Sequence, residues 1–193
     1  PRAFFLSIGL PRRDDGWLAD FSRGLMKLAR ESGCALLGGD TTRTPEVQGR
    51  HAPVTISITA MGDLPAGMGL TRKGAKPGDD IWVSGTVGDA YAALKCRWGA
   101  WSVMPDLEPE LFARMDRPTP RIALGQALLG AASAAADISD GLLADLGHIL
   151  ERSGVSAEIE WEKIPTSVAL QSMTPARQHE AALAGGDDYE LIF

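Results

Sequence analysis

The sequence predicts an α/β or α+β protein, in which strands and helices alternate. Three observations carry this. Apolar runs of strand length, such as Ala3–Leu10, alternate with stretches whose apolar residues recur at helical spacing. Glycine, proline and aspartate cluster between them as turns. Hydrophobic residues make up 45% of the 193, enough for a packed core and against disorder.

Ala3–Leu10 reads as a buried strand, followed by a charged turn. Trp17, Leu18, Phe21, Leu25, Leu28 and Ala29 fall on one helical face, so residues 14–32 are expected to form an amphipathic helix closed by Gly33. Cys34–Leu37 is a short strand leading into a Gly38–Thr42 turn, and Arg43–Ala52 is a polar loop. Val54–Ala60 alternates apolar with polar residues, the period of a strand with one polar face. Gly62–Gly69 reads as a link between two domains, 1–66 and 67–193.

Beyond it, Ile81–Ser84 is expected as a strand, and Gly85–Asp89 as a structural turn into a helix at Ala90–Cys96. A short helix is expected near Glu108–Met115 and a longer one over Pro120–Ala135. Asp137–Ser139 is a short strand or turn before a helix over Gly141–Ser153. Ala157–Trp161 reads as a strand, Leu170–Glu180 as loop and helix, and Leu183–Phe193 as a glycine turn and strand. The chain opens close to one apolar strand and stops inside another, so it is expected to be part of a longer chain.

Charge and cysteine usage exclude several functions. Nineteen basic against 25 acidic residues give a net charge of −6, which disfavours a nucleic acid partner. The apolar runs are too short for a membrane span, and no secretory leader is expected. Cys34 and Cys96 are far apart, with no CxxC or Cys/His cluster, and read as reduced thiols of a cytoplasmic protein. His51, His148 and His179 lack metal-ligand spacing, and His148 reads as a packing residue. No Ser-His-acid triad or nucleophilic cysteine is suggested.

Three acidic loops remain. In Gly38-Gly39-Asp40, glycines let backbone amides approach a ligand, and a carboxylate suits a hard cation such as Mg²⁺; alone, such a run is more often a plain turn. Asp137-Ile138-Ser139-Asp140-Gly141 places two carboxylates and a hydroxyl at a helix start, more than a cap needs. Alternation throws Asp137 and Ser139 to one side. Gly185-Gly186-Asp187-Asp188-Tyr189-Glu190 is the third, its plain alternative a turn with solvated acids.

In this order the loops resemble those of the thiamine-monophosphate kinase family, whose superfamily includes aminoimidazole ribonucleotide synthetase, selenophosphate synthetase and a hydrogenase maturation protein. The matching runs are LGGDTTRTP (Leu37–Pro45), LTRKGAKPGDDIWVSG (Leu70–Gly85), DISDGLLADLGHI (Asp137–Ile149) and LAGGDDYELIF (Leu183–Phe193). The resemblance implies a two-lobed aminoimidazole ribonucleotide synthetase-like fold. Residues 1–66 would be the remainder of an N-terminal ATP-binding and dimerisation domain, forming a β-barrel with a second copy, and 67–193 most of a C-terminal α/β domain. It implies Asp40, Asp137 and Asp140 as Mg²⁺ ligands, and Gly39, Asp40, Arg72 and Ser139 as ATP contacts. Asp187 stands where the family usually has a glutamate that contacts thiamine phosphate. The implied activity is Mg-dependent phosphorylation of thiamine phosphate by ATP. A sister-family ATP-dependent synthetase, a non-catalytic Mg-nucleotide-binding module and a purely structural fragment are the alternatives. The family also has an earlier Gly-Asp-Asp-Ala segment and a later substrate-stacking aromatic, which this sequence does not contain.

Overall fold

The computed structural model describes residues 1–47 and 49–193, apart from the side chains of Val47 and His51. The polar-loop expectation at Gln48 and the reading of the His51 side chain lie outside the described residues. The chain divides into two compact units, Pro1–Ala66 and Gly67–Phe193.

The first unit is built on β1 (Ala3–Leu10), α1 (Asp15–Glu31), β2 (Ala35–Arg43), the short pair β3 (Glu46–Val47) and β4 (Arg50–His51), and β5 (Thr55–Met61). Its sheet has the order β2-β1-β5, parallel between β1 and β2 and antiparallel between β1 and β5. Helix α1 begins where the Asp14 carboxylate accepts the Trp17 amide at 2.9 Å, and Gly33 takes a left-handed turn after its end. Ala3, Phe4, Ile8, Leu10 and Ala29 are the buried apolar residues here. Phe5, Ile56, Ile58 and Met61 remain exposed, although strand alternation had predicted one covered apolar face on β5.

The expected turn at Gly38–Thr42 is instead strand, since β2 runs through it to Arg43. Gly39 pairs with Leu6, and a Cβ on Gly39 would lie 1.7 Å from the Leu6 carbonyl oxygen. The glycine is therefore required by strand pairing. The expected polar loop at Arg43–Ala52 carries the β3–β4 pair.

The second unit contains α2 (Asp89–Arg97), α3 (Glu108–Asp116), α4 (Ile122–Ala127), β6 (Ala136–Asp137), α5 (Leu142–Ser153), a 3₁₀ turn (Trp161–Lys163), α6 (Val168–Gln171), α7 (Pro175–Ala184) and β7 (Leu191–Ile192). Its core gathers Val87, Ala92 and Ala93 near and on α2, Leu111 on α3, Leu142, Leu146 and Ile149 on α5, Leu170, Ala181, and Ile138 and Ile192. Strands β6 and β7 are antiparallel.

Several expectations are corrected. The helix over Pro120–Ala135 shrinks to α4, because Gly130 turns left-handed (φ 79°) and the Ala135 amide must reach the Thr71 carbonyl to enter β6. Ile81–Ser84 contributes one bridge, Val83 with Ile192. Ala157–Trp161 is not a strand; Trp161 starts the 3₁₀ turn and packs edge-on against His179 at 4.0 Å between centroids. Leu183–Phe193 is strand only at β7, because Asp187 and Tyr189 have positive φ. His148 is exposed on α5 and does not pack in the core. Both cysteines are free, and among the described residues no helix is long and apolar enough to cross a membrane.

Candidate active site

The short strand β6 sets the first part of the site. Ala136 and Ile138 point into the core, which leaves Asp137 exposed and Ser139 half-buried. The chain then turns at Gly141 (φ 119°), where a Cβ would stand 2.9 Å from the Ala184 carbonyl carbon, and enters α5. The amides before this helix are not capped by Asp140. The buried Asp145 reaches back from the first turn of α5 and accepts the Ser139 and Asp140 amides at 2.9 and 3.0 Å. The Asp137 and Asp140 carboxylates carry no hydrogen bond or ion pair among the described residues, and both residues are exposed.

The second part is the segment after α7. Gly185 and Gly186 let it lie against the first loop: a Cβ on Gly186 would meet the Ser139 carbonyl oxygen at 2.3 Å. The Asp187 amide donates to the Ser139 carbonyl and the Tyr189 amide to the Ile138 carbonyl, each at 2.9 Å. Asp187 (φ 67°) and Tyr189 (φ 52°) both take left-handed backbone, which costs a non-glycine residue about 1–3 kcal/mol. Their side chains are exposed, while Asp188 and Glu190 between and after them are buried.

The Tyr189 hydroxyl donates to Asp187 Oδ1 at 3.2 Å. The Asp187 charge, then partial burial and that hydrogen bond, then the charges of Asp137 and Asp140, push the Tyr189 phenol above its ordinary pKa. Asp137, Asp140, Asp187 and Tyr189 therefore share one local field on the surface of the second unit. The donors are all oxygen, and no histidine or cysteine joins them. Within either unit, among the described residues, no three His, Cys, Asp or Glu side chains are placed to hold one metal ion.

Behind this face lies a network that sequence reasoning missed. Asp188 accepts the Gly88 and Ala90 amides at 2.6 and 3.2 Å. Burial pushes its carboxyl up to about 6; the two amide hydrogen bonds oppose this, nearby Asp89 adds to it, and Arg114 works against it. Glu190 takes both Nε and Nη2 of Arg121 at 2.6 Å, Arg114 at 2.6 Å, and the Ser84 hydroxyl. Burial alone would raise the Glu190 carboxyl, but the hydrogen bonds from Arg121, Ser84 and Arg114 prevail and hold it down at about 2. Asp89, also buried, accepts the Thr86 and Ser167 hydroxyls and lies 3.7 Å from Arg114 Nε. The three expected solvated acids of this loop thus divide into one exposed residue, Asp187, and two buried anchors, Asp188 and Glu190. A signal existed: Asp145 interrupts the apolar face of α5 between Leu142 and Leu146, a place for a carboxylate only if it has partners.

The remaining candidates are described each within its own unit. Arg72 belongs to the second unit; its carbonyl accepts the Ser153 hydroxyl at 3.3 Å, and no contact among the described residues joins its guanidinium to Asp137 or Asp140. The Ser139 hydroxyl has no partner among the described residues. Gly39 and Asp40 belong to the first unit, on β2, where Asp40 pairs with Ser7 and is exposed.

Comparison with known proteins matches both units. The family model described as AIR synthase related protein, N-terminal domain, covers residues 1–64, and that described as AIR synthase related protein, C-terminal domain, covers residues 76–190. The thiamine-monophosphate kinase of Haemophilus influenzae is 42% identical over 100% of this chain and 57% of its own length. This chain therefore spans a little over half the length of such curated relatives. The crystal structure of thiamine-monophosphate kinase from Stenotrophomonas maltophilia K279a is 43% identical with a TM-score of 0.90, over 100% of this chain and 60% of that one. A structure described as AaThiL complexed with AMPPCP and TMP is 32% identical with a TM-score of 0.82, over 100% and 61%. The α/β architecture, the acidic face and these full-chain matches make the chain a member of the AIR synthase related protein family.

Proposed function

We propose that this protein is a thiamine-monophosphate kinase that transfers the γ-phosphate of ATP to thiamine phosphate, giving thiamine diphosphate and ADP. The observation that carries this reading is the face of unengaged carboxylates, Asp137 and Asp140, beside Asp187 and Tyr189, in a chain matched along its whole length by such kinases. The AMPPCP and TMP of the AaThiL structure support ATP and thiamine phosphate as the ligands.

The donor set fits Mg²⁺. This ion takes oxygen ligands and is commonly held by one or two carboxylates, with water and phosphate oxygens completing its shell. Asp137 and Asp140 would hold it in the second unit, and Asp40 is assigned as a ligand in the first, with phosphate oxygens completing the shell. When bound, the ion supplies positive charge that offsets repulsion between two polyanions. Ser139, Gly39 and Arg72 are assigned to the nucleotide, and Asp187 to the acceptor. The acceptor oxygen of a phosphate monoester is already largely anionic near neutral pH, so no side chain must remove a proton, in keeping with a face that lacks histidine. That oxygen bonds to the γ-phosphorus as the bond to the bridging oxygen breaks and ADP leaves. The residues of this chain then serve to align and to exclude misplaced acceptors.

We also assign the exposed face of the β2-β1-β5 sheet to a second copy of the chain, in a dimeric β-barrel, with the protein in the cytoplasm. Exposed Phe5 and Met61, on the sheet face opposite the buried Phe4 and Ile8, support a partner of like chemistry there. Incubating full-length protein with ATP, MgCl₂ and thiamine phosphate tests the kinase reading. Thiamine diphosphate formed one for one with ADP supports it, and ADP release without that product refutes it.

A further inference from the structure

Asp187 and Tyr189 stand on left-handed backbone, a conformation that non-glycine residues keep only where the surroundings over-determine it. Two side chains of the same segment supply that constraint. Asp188 is 3% exposed and both its oxygens are occupied by amides at the start of α2, Gly88 N and Ala90 N. Glu190 is 1% exposed, and both its oxygens are occupied by Arg121, Arg114 and Ser84. The backbone between is sewn to the other acidic loop, by Asp187 N to Ser139 O, Tyr189 N to Ile138 O and Ile138 N to Glu190 O. Gly85 makes room for the anchor: a Cβ there would meet Glu190 Oε1 at 2.6 Å and Arg121 Nη2 at 2.9 Å.

We propose that Asp188 and Glu190 are positioning residues for acceptor recognition, two buried pegs that hold Asp187 and Tyr189 in register with Asp137 and Asp140. Neither peg touches the exposed face; each acts through the backbone it fixes. The proposal rests on the reading of that face as the thiamine phosphate site. An amide cannot replace either peg. Asparagine at 188 keeps the shape but turns one of two acceptors into a donor aimed at a backbone N–H. Glutamine at 190 does the same toward the two guanidinium groups.

The test uses Asp188→Asn and Glu190→Gln in full-length protein, with Ile149→Val as a core-packing control remote from the loop. Steady-state kinetics should show the KM for thiamine phosphate raised at least about tenfold, with the KM for ATP changed less than about twofold. Hydrogen exchange at the Asp187 and Tyr189 amides should accelerate at least about tenfold, with the core amides of Leu146 and Leu170 unchanged. The control should leave both readouts at wild-type values. Unchanged exchange at Asp187 and Tyr189 overturns the proposal, as does a uniform rise in both KM values with faster exchange throughout. If the wild-type enzyme makes no thiamine diphosphate, the kinase reading falls, and the exchange arm alone decides whether these carboxylates hold the loop.

Discussion

Asp145 accepts the Asp140 amide at 3.0 Å, so the buried carboxylate caps the approach to α5 and the exposed one is left over. This division of labour separates stability from chemistry at neighbouring acids, and it sets two opposite expectations.

Asp140→Ala in the full-length enzyme should leave unfolding almost unchanged, within about 0.5 kcal/mol for a surface residue without partners. Thiamine diphosphate formation should fall by at least about a hundredfold, since loss of a charge-neutralising contact in phosphoryl transfer costs several kcal/mol. Thermal melts and product assays on one preparation check both.

Asp145→Ala should do the reverse in kind. It strands two backbone N–H groups, Ser139 and Asp140, at the head of a helix. The expected cost is about 1–3 kcal/mol of stability, read by urea unfolding. Activity should fall too, but in step with loss of order in the Asp137–Gly141 loop, and added osmolyte should recover part of it.

The two buried acids of the Asp187 loop give opposite pH dependences. The folded-state carboxyl of Glu190 lies at about 2, below its ordinary value of 4.5, so its contribution is present above pH 4.5 and is lost as pH falls toward 2. The Asp188 carboxyl is raised from 3.8 to about 6, so the folded state binds the extra proton, and its contribution is present below 3.8 and is lost as pH rises through 6. Chemical unfolding from pH 3 to 8 should show the Asp188 decline, on the order of 2–3 kcal/mol, between roughly pH 4 and 6. Asp188→Asn should abolish that decline while leaving the acid-side loss from Glu190. An unchanged profile in the variant would assign the decline elsewhere.

Phe5 is 43% exposed, on the face of β1 opposite the buried Phe4 and Ile8. Phe5→Asp should convert a dimer to a monomer in sedimentation or light scattering, if this sheet face meets a second copy. A variant that stays dimeric moves the interface elsewhere.

Much of this arrangement was legible in the sequence where the cause is local. A two-residue period is enough to turn Asp137 outward and Ile138 inward. The Asp14 cap and the Gly33 stop of α1 are likewise local signals. The turn expected at Gly38–Thr42 misled because glycine before aspartate reads as a turn, whereas Leu6, far off in sequence but adjacent across the sheet, dictates Gly39 in a strand. The anchors Asp188 and Glu190 were read as solvated because their partners are remote: Gly88 lies 100 residues away, and Arg121 lies 69. No periodicity within the loop announces such partners, and only the closed fold shows that these carboxylates are buried, Asp188 on two backbone amides and Glu190 on two arginines.

The role proposed for the acidic face is transfer of phosphate to a phosphate. The most direct measurement is ³¹P NMR of full-length protein with Mg-ATP and thiamine phosphate. The thiamine monophosphate resonance should disappear as diphosphate resonances of thiamine diphosphate and ADP grow in equal amounts, and Asp140→Ala should suppress this. Loss of ATP with the monophosphate resonance intact, or full conversion by Asp140→Ala, would contradict it.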